Sequence, residues 1–217
     1  EPFWFRDEFS EDDSGRWRGN TSIWQIQNGR LEANYTSGTY GSQRILDINS
    51  DFASFEFDYT PVTETSVSSG SFNAAGLAFC ADGVSTSTGE GTRLDILPGF
   101  SGYILSLYVS STQRQVSILK RGINPDTLTG NTVAEGVFTL GNTYHIAVTK
   151  DNNTGRIIVS VDGTPVIDVV DSDVIKTGKL VFGQASYALN DGGYCSYFDN
   201  LQISGTRVYQ KPIHRGA

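Results

Sequence analysis

Apolar and polar residues alternate one by one along most of this chain. The stretch "SFEFDY" (54–59) sets Phe55, Phe57 and Tyr59 against Ser54, Glu56 and Asp58. A period of two sends successive side chains to opposite faces of a strand, and no segment sustains the 3.6 period of an apolar helix face. A chain patterned this way buries its apolar residues only by packing sheet on sheet. The same pattern recurs in "SIWQIQNGRLEANY" (22–35), "AAGLAFCADG" (74–83), "TRLDIL" (92–97), "GYILSLYVS" (102–110) and "RQVSILK" (114–120). It continues through "TYHIAVTKDNNTGRIIVSVDGTPVIDVV" (143–170), "GKLVFGQA" (178–185) and "YCSYFDNLQIS" (194–204). Asn28-Gly29 and Asp162-Gly163 are hairpin turns by residue type, and Asn152–Gly155 is a further turn. Thr63–Phe72 and Ile123–Gly136 are irregular, the second with room for one short helical turn. About a dozen strands at this spacing predict a single all-β domain over 1–217, a two-sheet antiparallel sandwich, with residues 206–217 as a tail.

Composition narrows the function classes. With 38% hydrophobic and 12% aromatic residues and 24 glycines among 217, the chain is folded and rich in turns. A net charge of −8 argues against nucleic acid, which calls for a basic face, and disfavours anionic polysaccharides. No apolar run is long enough to span a bilayer. The chain starts at Glu1 and contains no methionine, so a processed or trimmed chain is expected, and its low lysine count and Ser/Thr/Asn/Gly/Asp-rich composition point to a secreted or cell-surface protein. Its two cysteines, Cys80 and Cys195, lie in strands and lack zinc-site spacing. They are either a disulfide or two buried thiols, and in a secreted chain the bridge is the expectation.

"TYHIAVTKDNNTGRIIVSVDGTPV", the early "DEF…W…NGRLEA", "AAGLAF" and the late "YFDNLQI" resemble, in this order, the strands of concanavalin-A-like and laminin-G-like jelly rolls. In particular they resemble the glucanase-like and carbohydrate-binding domains of bacterial secreted proteins. The resemblance covers nearly the whole chain and implies a jelly-roll sandwich. "DEFS" and "FDNLQI" resemble the first and last strands of family-sixteen glycoside hydrolases and related binding modules. The resemblance implies a structural calcium ion joining them through Glu8, Asp199 and Asp7, with carbonyls completing an oxygen shell.

The glucanase relatives carry Glu-x-Asp-x-(x)-Glu on one strand. Here "FEFDYTPVTE" supplies Glu56 and Asp58 but has Thr60 or Pro61 where the second glutamate belongs, so inherited hydrolysis by that route is not expected. Tyr144 and His145 are adjacent and point to opposite faces, which breaks a lyase-type pair. The resemblance then implies sugar binding on the concave face, through aromatic rings and planar polar side chains. The expected ligand residues are Arg44, Arg93, Asp95 and Tyr108, with Tyr40 on the rim. Trp17, near a turn, is a further rim candidate or, like Trp24, a core aromatic. The leading expectation is a noncatalytic, lectin-like domain for a neutral polysaccharide, monomeric or part of a larger chain. The alternatives are a hydrolase or lyase with a rearranged pair drawn from Glu56, Asp58 or Asp95, and a structural or adhesive domain.

Overall fold

The computed structural model describes residues 1–11, 15–19, 21, 24–35, 43–62, 74–84, 99–109, 113–122, 128–129, 132–184 and 193–207, with backbone alone at 34–35, 74–75, 129, 184 and 193–195. Strands are numbered in chain order, and among the described residues they form two antiparallel sheets. The nine-stranded sheet runs β10 (Leu128–Thr129), β14 (Thr164–Asp171), β13 (Arg156–Val161), β12 (Tyr144–Lys150), β6 (Ser54–Pro61), β16 (Gly193–Thr206), β4 (Arg30–Tyr35) and β3 (Trp24–Gln27). Strand β1 (Pro2–Asp7) pairs with the last part of β16. The seven-stranded sheet runs β11 (Val133–Ala134), β9 (Arg114–Arg121), β8 (Ser101–Val109), β7 (Ala74–Asp82), β15 (Gly178–Gln184), β5 (Gln43–Ser50) and β2 (Trp17–Gly19). Among the described residues no helix is long and apolar enough to cross a membrane.

The alternation places the core as expected. Phe55, Phe57 and Tyr59 of β6 face inward and meet Tyr103, Leu105 and Leu107 of β8 in one buried cluster. Phe182 of β15 is its hub, with ring centroids 5.0 Å from Phe198, 5.7 Å from Trp17 and 5.9 Å from Trp24. The hairpins form where the turn residues put them. Asn28 and Gly29 have φ of 56° and 71°, and Asp162 and Gly163 have 49° and 77°, the double left-handed geometry of a two-residue hairpin turn.

One end of the sandwich is closed by buried charges. Lys120 of β9 forms an ion pair with Asp171 at the end of β14 (2.8 Å), with both side chains fully buried. The Tyr103 hydroxyl donates to the same Asp171 oxygen (2.5 Å) and accepts from the Ile175 amide (2.8 Å). Asp171 Oδ1 accepts from the Asp173 amide (3.0 Å), and Lys120 also donates to the Asp173 carbonyl. Burial, reinforced by Asp171, pushes the Tyr103 hydroxyl above its ordinary value, so it stays protonated.

Several expectations change. The first strand is "PFWFRD" rather than "DEFS", so Asp7 ends β1 and Glu8 lies beyond it. Within 123–136 the structure describes the short strands β10 and β11, and 123–127 of the expected helical turn lie outside the described residues. Strand β16 extends into the expected tail, to Thr206, with Arg207 bridged to Ser50. The bridge between Cys80 and Cys195 is not formed: Cys80 is a free, buried thiol. Its Sγ lies 3.5 Å from the Asp51 carbonyl and 3.8 Å from that of Lys176. Cys80 packs at the Phe55 end of the sandwich, next to Phe79, whose ring is 5.0 Å from Phe55. The backbone of Cys195 adjoins Ser196, which pairs with Pro61 at the far end of β6. At ~3.3 Å per residue the length of β6 separates the two by roughly 20 Å, far beyond disulfide reach. Burial pushes the Cys80 thiol up to about 12, which keeps it protonated and unreactive.

Candidate functional site

The outward set of β6 becomes the middle of a polar face on the nine-stranded sheet. Register places His145 of β12 and Asp199 of β16 on either side of Asp58. His145 Nδ1 lies 3.0 Å from Asp58, and its Nε2 lies 3.6 Å from Glu56. The hydrogen bond to Asp58 foremost, and then the charge of Glu56, holds the imidazole above its ordinary value. A bulge follows Asp199, where Asn200 takes φ of 51° and donates through Nδ2 to Asp58 (2.8 Å). Across β16, the Arg30 guanidinium lies 3.4 Å from the centre of the Tyr197 ring and donates through Nε to Glu32 (2.8 Å). Burial works to raise the Glu32 carboxyl, but hydrogen bonds from Arg30, Gln27 and Asn28 outweigh it and hold it below the usual range. Arg30, Tyr197, Asp58, Asp199, Thr60 and Thr143 line a shallow pocket of about 150 Å³. The two threonine hydroxyls are bonded to each other at 2.8 Å.

Asp58 and Asp199 are like charges at directly opposed positions, an arrangement that destabilises a sheet. Partial burial, then the charges of Asp58 and Glu8, push the Asp199 carboxyl above its ordinary 3.8, against the Asn200 amide and Arg30. A raised carboxyl in the folded state means that the contribution of Asp199 to stability falls as pH rises through that value. Asp199→Asn keeps the acceptor for the Asn200 amide and removes the charge. The variant is expected to melt about 1–2 °C above wild type at neutral pH, a gain that vanishes below the ordinary aspartate value. Thermal melts at several pH values check this; a neutral-pH loss, or a gain that persists in acid, would contradict it.

No family model matches this chain, and no curated protein matches it in sequence. Solved structures do match it in fold. A Bacillus subtilis protein of unknown function with a galectin-like fold superposes with a TM-score of 0.66 at 14% identity, covering 95% of this chain and 96% of that one. Basic winged bean lectin with Tn-antigen gives 0.63 at 13% identity, covering 95% and 99%. Bacillus licheniformis β-glucanase gives 0.63 at 12% identity, covering 94% and 98%. The fold is the concanavalin-A-like jelly roll.

Within this jelly roll the two expected ligand residues that are described, Arg44 and Tyr108, are both buried. Tyr108 does lie on the outer side of β8, opposite Tyr103 and Leu105, but it is only 5% exposed. It belongs to a second apolar cluster with Ile45, Ala78, Phe100, Ile104 and Val181, onto which Val84 and Leu119 pack. Arg44 is 2% exposed and pairs in register with Phe182, which puts it on the inter-sheet side. Arg93, Asp95 and Tyr40 lie outside the described residues. The signal for this burial is in "GYILSLYV": a nearly unbroken apolar run marks a strand covered on both faces.

Two of the expected calcium ligands are engaged by protein partners. Both Asp7 oxygens accept protein hydrogen bonds, from the Phe9 amide and from Trp17 Nε1, each at 2.7 Å. Glu8 pairs with Arg6 at 2.7 Å. Among the described residues no group of three or more His, Cys, Asp or Glu is arranged to hold a metal ion. Asp7, Glu8 and Asp199 therefore form no three-carboxylate cluster.

Proposed function

We propose that this chain is a noncatalytic glycan-binding domain that works outside the cell, with the Arg30–Tyr197–Asp58–Asp199 pocket as a contact site for a neutral polysaccharide. The observation that carries this reading is the Asp58–Asp199 pair on the pocket floor. Two opposed carboxylates weaken the sheet, yet beside a planar guanidinium and two hydroxyls they make a row of acceptors and donors suited to sugar hydroxyls. The depression is shallow and polar, as a site for a solvated chain must be. Glycan-directed proteins share the fold, a lectin and a β-glucanase among them. Binding is favoured over hydrolysis because Glu56 and Asp58 both face His145, and no second glutamate completes the glucanase motif.

Affinity electrophoresis over a panel of neutral polysaccharides, with reducing-sugar release measured in parallel, tests the reading. The expected result is retardation by at least one member without release of reducing ends. Asp199→Asn is expected to weaken that binding about tenfold, roughly 1.4 kcal/mol, while raising the melting temperature. Stability gained as binding is lost marks a site kept for function rather than for folding. Release of reducing ends that disappears in Glu56→Gln would replace this reading with the hydrolase.

A further inference from the structure

We propose that Trp4 is the stacking platform of a second glycan subsite on the same outer face, one that takes a neutral pyranose ring; this rests on the glycan-binding reading above. In "PFWFRD" the alternation buries Phe5, 8% exposed, and turns Trp4 outward, where it is 64% exposed. The core requires the first ring and has no use for the second. Trp4 is the wall shared by two depressions. One, of about 390 Å³, is lined with Arg6, Glu8, Glu11 and Arg16 among others. The other, of about 160 Å³, is lined with Ser54, Glu56, Gln202 and Ser204 among others. An indole thus stands between two polar floors.

That arrangement matches the chemistry of a pyranose. The ring presents an apolar C–H face and a rim of hydroxyls. The C–H face meets the negative face of an indole, and the rim meets carboxylate, amide and guanidinium groups in the plane beside it. Around Trp4 both charge signs are mixed, and Arg6 is held by Glu8 at 2.7 Å. Among the described residues of this depression, Arg6 and Arg16 stand with Asp7, Glu8 and Glu11, so no net cationic field selects an acidic sugar and the ring is neutral.

The first pocket and Trp4 are continuous. Trp4 lies opposite Ser204, Arg6 opposite Gln202, and Gln202 opposite Glu56. Glu56 stands two residues from Asp58 on the same face, at the floor of the first pocket. From Tyr197 to Ser204, less one residue for the bulge, β16 runs roughly 20 Å. One oligosaccharide lying along β16 reaches both sites.

The chain has three tryptophans, and Trp17 and Trp24 are 1% and 0% exposed. Acrylamide quenching of intrinsic fluorescence therefore reports on Trp4. The probes are neutral oligosaccharides derived from β-glucan, mannan, xylan and galactan. A binding oligosaccharide is expected to protect the fluorescence from acrylamide. Trp4→Ala should lose at least tenfold in affinity with its melting temperature unmoved, and Trp4→Phe should retain most of the affinity. Unchanged affinity in Trp4→Ala, with Asp199→Asn weakened, overturns the subsite and leaves the domain a glycan binder. Binding without protection from acrylamide also overturns the subsite. A wild-type protein that binds none of the panel overturns both readings.

Discussion

Lys120→Met is expected to cost about 3–5 kcal/mol of stability and to lower the melting temperature by about 10 °C or more. Methionine fills nearly the space of the lysine stem, so packing alone accounts for little of the loss. What goes is the ammonium beside Asp171, in a site where both side chains are fully buried. The Tyr103 hydroxyl and the Asp173 amide still reach the carboxylate, but neither carries a positive charge. A buried carboxylate stripped of its counter-ion has its proton affinity raised. The variant's deficit is therefore full at neutral pH and shrinks as pH falls through the raised value and the group becomes neutral. Chemical denaturation at neutral and acid pH separates this from a packing defect, whose cost would not depend on pH. A deficit below about 1 kcal/mol at neutral pH would show that the pair contributes no more than a surface ion pair. The network also ties β8 and β9 of one sheet to the end of β14 in the other. Its loss is expected to loosen that end first, as faster amide exchange at Ile175, whose N–H donates to Tyr103.

The sequence made some of this legible and hid the rest for definable reasons. Alternation in "SFEFDY" assigns Phe55, Phe57 and Tyr59 inward and Glu56 and Asp58 outward, because a strand offers each residue only two faces. Asn28-Gly29 and Asp162-Gly163 locate their hairpins because few residue pairs accept two successive left-handed conformations. Pairing between distant strands has no such local code. That Asp58 sits between His145 and Asp199 follows from register among β12, β6 and β16, and from a bulge at Asn200 that no spacing announces. The cysteines illustrate the same gap: two strand cysteines look like partners until the register puts them at opposite ends of β6. Tyr108 shows a different failure. Its outward orientation was legible, but exposure depends on what packs over the sheet, and the apolar run of β8 carries that message better than the alternation does. Trp4 lies in plain view three residues from the first one, yet nothing in "PFWFRD" alone says which aromatic the core would take.

Phe182→Ala is expected to cost about 3–5 kcal/mol, the range for deleting a fully buried ring. Phe182 is fully buried on β15, and it projects from the seven-stranded sheet into rings supplied by the other. Phe198 and Phe57 stand 5.0 and 6.4 Å away by ring centroid and Trp24 5.9 Å, while Phe9, in the segment after β1, stands 6.3 Å away. Trp17, 5.7 Å away, comes from the same sheet. Most of these neighbours sit on paired strands whose spacing is fixed by ladder hydrogen bonds, so they cannot close on the void, and the full cavity cost is expected. Phe182→Leu keeps most of the volume and should cost about 1–1.5 kcal/mol. Phe138 is a contrasting site: it is also buried but meets only Tyr59 and Tyr144 among the described rings, at 5.1 and 5.2 Å. Its alanine variant is expected to cost less than Phe182→Ala, because fewer rings lose a neighbour. Denaturant titrations rank the three variants, and the two buried tryptophans give a second signal, since both touch Phe182 and neither touches Phe138. A red-shifted emission in Phe182→Ala alone would place the loosening at the centre of the sandwich. Equal costs at the two positions would mean that the rings act independently and that Phe182 is no hub.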